Sequence, residues 1–218
     1  MIKLLEKLLN IIYIQPCYFC RSTKDDNIIC KKCYNKIHFM PPAVLKEYSN
    51  VKIYSCCIYD DIIKQLIKGL KYNGKKKLAS AAARIMFEYI KELNLKEDYT
   101  IIPVPISKQR LKERKYNHMD LAAKEFAEFT KYKYNSDFLV RIKDTKKQYN
   151  LNKREREQNI KGAFDINPQN MPDKSTPLLI IDDITSTGIT LEEIIKVLYK
   201  NGYKNITALT LATPDIWN

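Results

Sequence analysis

An α/β domain with an open, mainly parallel sheet flanked by helices, preceded by a small four-cysteine metal module, is the architecture this sequence predicts. Three observations predict it. Near the C-terminus a continuous apolar run, Pro177 to Ile181, is followed by Asp182-Asp183, a Ser/Thr/Gly loop, a helical apolar stripe and a second apolar run from Ile206 to Leu211. Strand, loop, helix and strand at that spacing make a βαβ unit, whose sheet is parallel. Near the N-terminus, Cys17-x2-Cys20 and Cys30-x2-Cys33 carry metal-ligand spacing. Finally, 218 residues with 45% hydrophobic content suit one ordinary domain with a small appendage.

Taken along the chain, residues 1–42 read as an N-terminal helix and the four-cysteine module, and 43–218 as the α/β domain. The prolines of Phe39-Met40-Pro41-Pro42 mark the boundary, since neither donates a backbone hydrogen bond or enters a helix interior. Val51 to Tyr59 is β-branched and aromatic, which predicts a strand, and it takes in Cys56 and Cys57 as small core side chains. Asp60-Asp61 caps a helix with Ile62, Ile63, Leu66, Ile67 and Leu70 on one face, leaving Lys64, Lys68 and Lys71 to water or an anion. Asn73-Gly74 reads as a turn, and an alanine-rich helix follows from about Lys76 to Leu93.

Thr100 to Val104 predicts a short strand limited by Pro103 and Pro105. A basic stretch, Ser107 to Lys115, precedes a helix from about Asn117 to Phe129 that buries Ala122, Phe126 and Phe129. Residues 141–161 hold eight Lys or Arg against three acidic residues and read as a mobile loop containing a short helix. Asp182-Asp183 ends the strand that precedes it. The last helix spans Leu191 to Lys200, with Leu191, Ile194, Ile195 and Leu198 inward, and Asn201-Gly202 stops it.

The charge excludes less than the patterning does. A balance of 38 basic against 25 acidic residues, formally +13, favours phosphates, nucleotides, nucleic acid or an acidic protein surface without choosing among them. No window has the 18 to 20 apolar residues, roughly, that a membrane span needs, so no integral membrane segment is expected and a soluble cytoplasmic protein is. A short amphipathic helix at Met1 to Ile12, lying on a membrane, is the alternative. The sequence contains neither Gly-x-Gly-x-x-Gly nor Gly-x4-Gly-Lys-Ser/Thr.

Four cysteines in two close pairs suit a tetrahedral structural zinc site, because zinc prefers four soft ligands with no open position. An iron-sulfur cluster is the other occupant that this spacing admits. Lys24, Lys31, Lys32 and Lys36, with Tyr18, Phe19 and Tyr34, suit either base stacking with phosphate screening or the packing of a zinc knuckle.

The strongest ligand signal is Ile180 to Thr190. Ligands collect at the C-terminal ends of parallel strands, where Asp182 and Asp183 must lie. Thr185, Ser186, Thr187 and Thr190 add hydroxyls, Gly188 permits close backbone approach, and free amides from Ile189 onward form a nest for a phosphate monoester. A capping turn would need one hydroxyl, and this loop supplies four beside an acidic pair.

That segment resembles the phosphoribosyl pyrophosphate (PRPP) loop of type I phosphoribosyltransferases, and the whole chain resembles the ComF family of late competence proteins. The second resemblance rests on the cysteine pairs, Ile102-Pro103-Val104-Pro105 followed by Arg110 and Arg114, Thr145-x2-Gln148-x2-Leu151, Arg154-x4-Asn159-x2-Gly162-Ala163-Phe164, and the Asp-Asp loop. Where the family has Arg-Gly-Phe-Asn-Gln, this chain has Arg114-Lys115-Tyr116-Asn117-His118. The resemblance implies a phosphoribosyltransferase-like domain that binds PRPP with magnesium. Asp182 and Asp183 would lie beside the ribose hydroxyls, the segment from Thr185 through Ser186, Thr187, Gly188 and Ile189 to Thr190 would hold the 5-phosphate, and Arg110 and Arg114 would neutralise pyrophosphate.

It further implies a role in natural transformation and DNA uptake. Imported single-stranded DNA and a competence helicase would be partners, at the inner face of the membrane. Three readings follow: a PRPP-binding competence protein, an active pyrophosphate-releasing transferase on a base, amine or nucleic-acid end, and a non-catalytic zinc-stapled adaptor. No general base is identifiable. His38 and His118 read as structural or surface residues.

Overall fold

The computed structural model describes residues 15–25, 27–72, 74–95, 97–145 and 152–214. The helix expected within residues 1–12, Asn73 of the expected turn, and Gln148 and Leu151 lie outside them. The chain divides into two compact units, one ending at His38 and the other beginning at Phe39.

Among the described residues of the first unit the clustered core is formed by the cysteines: Cys17, Cys30 and Cys33 are buried with Phe19 and Ile29 packed on them, and a short helix, α1 (Lys31–Tyr34), starts directly after Cys30. A segment this short cannot bury enough apolar surface to hold itself, so a cross-link or metal must supply the rest.

In chain order the second unit runs β1 (Lys46–Tyr48), β2 (Val51–Ile58), α2 (Asp61–Tyr72), α3 (Leu78–Glu92), β3 (Thr100–Pro103) and α4 (Lys108–Arg114). It continues with α5 (His118–Thr130), β4 (Lys133–Tyr134), β5 (Leu139–Arg141), α6 (Lys153–Ile160), β6 (Phe164–Ile166), β7 (Leu178–Ile184), α7 (Ile189–Lys200) and β8 (Ile206–Thr213). Six strands form one sheet in the order β1-β2-β8-β7-β3-β4, and β5 with β6 makes a separate antiparallel pair. Every neighbour in the large sheet is parallel except β1, which pairs antiparallel with β2 through the turn Ser49-Asn50. Both turn residues have positive φ, 49° and 66°, as a tight two-residue hairpin requires.

Both faces of the sheet are covered, which is why its central strands are apolar throughout. On one face Val51, Ile53, Ile102, Leu178, Ile180 and Ala208 pack with Ile194, Ile195 and Leu198 of α7 and with Phe138, Leu139 and Phe164 around β5 and β6. The other face receives α3, against β2 and β8, and α5, against β3 and β7. Asp60 caps α2 as its sequence suggests, accepting from the amides of Ile62 and Ile63 at 3.0 and 3.1 Å.

Two expectations are corrected. Asp182-Asp183 does not end the strand. β7 continues to Ile184 because β8 is long enough to keep pairing with it, Asp182 opposite Thr210 and Ile184 opposite Ala212. Its other neighbour stops earlier: the last bond there runs from the Val104 amide to the Ile181 carbonyl at 2.9 Å, and the next is lost because the Val104 carbonyl accepts from Asn117 Nδ2 at 3.1 Å while the Asp183 amide turns to Asp182 Oδ1. Phe129 is not core but 39% exposed. In its last turn α5 lies on α3 rather than on a strand, and Phe129 stacks on Phe87 at 5.7 Å.

This topology makes a crevice. From β3 the chain goes outward to β4, whereas β7, on the other side of β3, leads away to β8, so β3 and β7 bracket the switch point. Loops leaving it in opposite directions open the cleft where α/β sheets hold ligands.

Candidate functional site

The crevice is a cavity of about 320 Å³. The sheet gives it Val104, Pro105 and Ile106 after β3, and Asp182, Asp183 and Ile184 at the end of β7. α2 contributes Lys71 and Tyr72, α4 Arg110, Glu113 and Arg114, α5 His118, and β5 and α6 one arginine each, Arg141 and Arg156. Ser186 and Thr190 close it on the loop side. Five cations thus face three carboxyl groups, an excess that suits a polyanion.

Asp183 sits at the centre, buried, with Lys71 ion-paired to its Oδ2 and His118 Nε2 2.5 Å from the same oxygen. Burial alone would raise its pKa. Lys71's charge and the His118 hydrogen bond outweigh burial and hold the carboxyl well below the usual range. His118 is itself 3% exposed, and burial pulls its pKa down against the pull of Asp183. An Arg114 Nη1 lies 3.4 Å from the other ring nitrogen, Nδ1. Arginine only donates, so Nδ1 accepts and the proton sits on Nε2, facing Asp183.

Asp182 differs from its neighbour. It accepts the Asp183 amide at 2.8 Å, but burial and the Asp183 charge push its carboxyl up to about 7. Two adjacent carboxyls are therefore held apart in proton affinity, one ionised throughout and one poised near neutrality.

The arginines reach the cavity from elements of their own. α4 has no buried residue, and its ends fix it: Ser107 accepts the Arg110 amide at 3.3 Å, Asp144 the Gln109 amide at 3.2 Å, and Lys115 closes the C-terminus with φ 67°. That left-handed conformation favours glycine and costs a lysine about 1 kcal/mol. Arg114 lies over the Tyr72 ring at 5.0 Å, and its Nε is buried with no partner among the described residues. Arg141 lies over Phe164 at 5.2 Å, and burial and the charge of Arg110 lower its pKa to about 10, which leaves it charged at neutral pH.

The loop after β7 supplies a helix start without a cap. Gly188, at φ 83°, is the N-cap of α7, and no side chain caps the helix there despite four hydroxyls within the loop. α4, α5 and α6 by contrast have capping side chains from Ser107, Asn117 and Asn152. Such an uncapped start keeps amides available for an anion.

Of the residues expected from sequence, Asp182, Asp183, Ser186, Thr190, Arg110 and Arg114 line the cavity, while Thr185, Thr187, Gly188 and Ile189 do not. Lys71, Tyr72, Ile106, Glu113 and His118 also line it and were not assigned to the site from sequence. Lys71 was indistinguishable from Lys64 and Lys68 on the same helix. His118 is a buried wall of the cavity rather than a surface residue.

In the first unit the sulfurs of Cys17, Cys20, Cys30 and Cys33 all lie within 4.8 Å of one another, and those of Cys20 and Cys30 are 3.5 Å apart. A zinc tetrahedron with Zn–S of about 2.3 Å has edges of roughly 3.8 Å, so the donor set fits zinc. The Cys30 amide points at the Cys17 sulfur at 3.4 Å, a hydrogen bond that stabilises a thiolate ligand. Cys56 and Cys57 are buried in β2 as unpaired thiols, raised by burial, and take no part.

No family model matches the chain. Among curated proteins it is similar to the DNA utilization protein YhgH of Escherichia coli (strain K12), 26% identical over 195 residues, covering 85% of each chain. It is 28% identical over 158 residues to Competence protein F of Haemophilus influenzae, covering 71% of this chain and 69% of that one. To Competence protein ComFC of Bacillus subtilis it is 20% identical over 187 residues, covering 85% and 72%. These matches support a relationship to the ComF-type competence proteins. Among solved structures, the allosteric regulatory enzyme of purine biosynthesis overlaps 66% of this chain and 29% of its own, with 16% identity and a TM-score of 0.42. A hypoxanthine phosphoribosyltransferase from Staphylococcus aureus overlaps 63% and 64%, with 11% identity and a TM-score of 0.37. No helix among the described residues is long and apolar enough to cross a membrane.

Two predictions follow from the two clusters. Elemental analysis should find one zinc per chain, lost in a Cys17→Ser/Cys20→Ser variant and retained in Cys56→Ala; zinc retained without Cys17 and Cys20 would contradict the assignment. The acidic pair predicts an asymmetric pH response. Asp182 binds its proton more tightly folded than unfolded, so the stability it contributes is present below about pH 4 and lost as pH rises through about 7. Asp183 runs the other way, with stability present above about pH 4 and lost as pH falls. Asp182→Asn should therefore leave the melting temperature unchanged near pH 4 and raise it above pH 7. Discounted for partial exposure, the gain is on the order of 1 kcal/mol, about 2 to 4 °C for a chain this size. Asp183→Asn should lower it at pH 7; equal shifts in both variants would contradict the asymmetry.

Proposed function

We propose that this protein is a PRPP-binding, phosphoribosyltransferase-like member of the DNA-uptake apparatus, acting on imported single-stranded DNA during natural transformation. One observation carries the ligand: at a single crevice, an uncapped helix start with loop hydroxyls stands beside an acidic pair and across from four arginines. A phosphate monoester, a polyhydroxylated ring and a diphosphate would match these three groups of partners in turn. The 5-phosphate would take the amides of α7 with Ser186 and Thr190. The ribose hydroxyls would meet the Asp182 side of the pair, and the pyrophosphate would lie under Arg110, Arg114, Arg141 and Arg156, whose forked donors match phosphate.

Magnesium, if bound with PRPP, would be held from the protein side by Asp182, because Lys71 already neutralises Asp183; it would supply charge compensation for the diphosphate. The residues themselves would do the rest. Arg110 and Arg114 would stabilise charge building on departing pyrophosphate. His118 donates its Nε2–H hydrogen bond to Asp183 and is thereby a positioning residue rather than a free base.

The role in DNA uptake is supported by the relationship to proteins named for competence and DNA utilization and by the formal charge of +13. Titration calorimetry with PRPP and magnesium should show binding by the unaltered chain and a loss of about 1 to 3 kcal/mol, roughly 5- to 150-fold, in Asp182→Asn and in Arg114→Ala. Undetectable binding, or one affinity for all three proteins, would defeat the site. Pyrophosphate release with any base, amine or nucleic-acid acceptor would add turnover to binding.

A further inference from the structure

The hairpin of β1 and β2 reaches the ligand loop through one side chain. Lys46, on the edge strand, places Nζ 2.7 Å from the Thr187 carbonyl oxygen and 2.6 Å from Glu192 Oε1. It lies so close to Gly188 that a Cβ there would meet Nζ at 3.0 Å. Resting on the phosphate reading above, we infer that Lys46 is a positioning residue that keeps the loop's own electron-rich groups out of its anion site.

Glu192 sits in the first turn of α7, where the helix dipole and unbonded amides attract any carboxylate. No side chain caps that helix, and Glu192 is the carboxylate of its first turn that would compete for those amides. Thr187 presents a second hazard, since a carbonyl oxygen turned inward would repel a phosphate. A single ammonium holds both. Thr187, Gly188 and Glu192 are absent from the cavity lining, whereas their neighbours Ser186 and Thr190 face it, which matches an arrangement with the acceptors drawn to the outer side.

Lys46 is suited to this task by its place in the fold. Its residue pairs with Ile53 across a two-residue turn, so its backbone is fixed by the sheet while its side chain bridges to a segment 141 residues away. The Lys46 side chain is 40% exposed and that of Glu192 21%, so the bridge contributes little stability in itself. Its value lies in steering two acceptors, and a substitution is expected to affect ligand affinity more than folding.

The test is a calorimetric cycle with ribose 5-phosphate as probe, using the unaltered chain, Lys46→Ala, Glu192→Gln and the double variant. Lys46→Ala should weaken binding about tenfold, the order expected when a competing charge is released at a helix start. Glu192→Gln should stay near the unaltered affinity, and the double variant should regain most of the loss, which a merely structural role for Lys46 would not produce. Equal affinity for the unaltered chain and Lys46→Ala, or a double variant as weak as Lys46→Ala, overturns the inference while leaving the phosphate site standing. Failure of the unaltered chain to bind ribose 5-phosphate or PRPP overturns both.

Discussion

The ionised carboxylate of Asp183, buried at the end of a parallel strand, constrains everything around it. Removing such a charge from water costs several kcal/mol unless partners surround it. The fold brings two, from different elements: Lys71 at the end of α2 and His118 at the start of α5. Satisfying one oxygen therefore fixes the C-terminus of one helix and the N-terminus of another against the end of the sheet. Arg114 is drawn in through His118, and Asp182, left next to a permanent negative charge, is pushed toward neutrality.

Topology decides where this network sits. Because β7 pairs on one side with β8 to its last residue but loses β3 after Ile181, its final residues present an open edge to the crevice. There the Val104 carbonyl, which would take the next bond from β7, accepts from the Asn117 side chain, and the Asp183 amide bonds to Asp182 Oδ1. The same edge carries the chain into the loop that begins α7, so the acidic pair and the uncapped helix start are inevitably neighbours. On the far side, the β1 hairpin supports that loop from outside through Lys46.

Much of this was legible in the sequence where local chemistry is sufficient. The apolar runs of β7 and β8, the Asp60 cap and the paired cysteines each announce themselves within a few residues. The acidic pair and its hydroxyl loop did too, since their meaning depends on adjacency along the chain. Strand ends were less legible, because the length of β7 is set by a partner, β8, that lies beyond it in sequence. Lys71 and His118 were missed for a related reason: their role comes from a carboxylate 112 and 65 residues away, and nothing nearby distinguishes either from a surface residue. Lys115 reads as a departure, and it takes a left-handed conformation.

The account stands on the two carboxyls having different proton affinities, and carbon-13 NMR of the labelled aspartate carboxyls across a pH series measures that directly. Asp182→Asn and Asp183→Asn samples would assign the two signals. One signal, missing in Asp182→Asn, should titrate near pH 7, while the signal missing in Asp183→Asn stays ionised to below the ordinary aspartate range. Two carboxyls titrating together near pH 4, or with the assignments exchanged, would contradict the account.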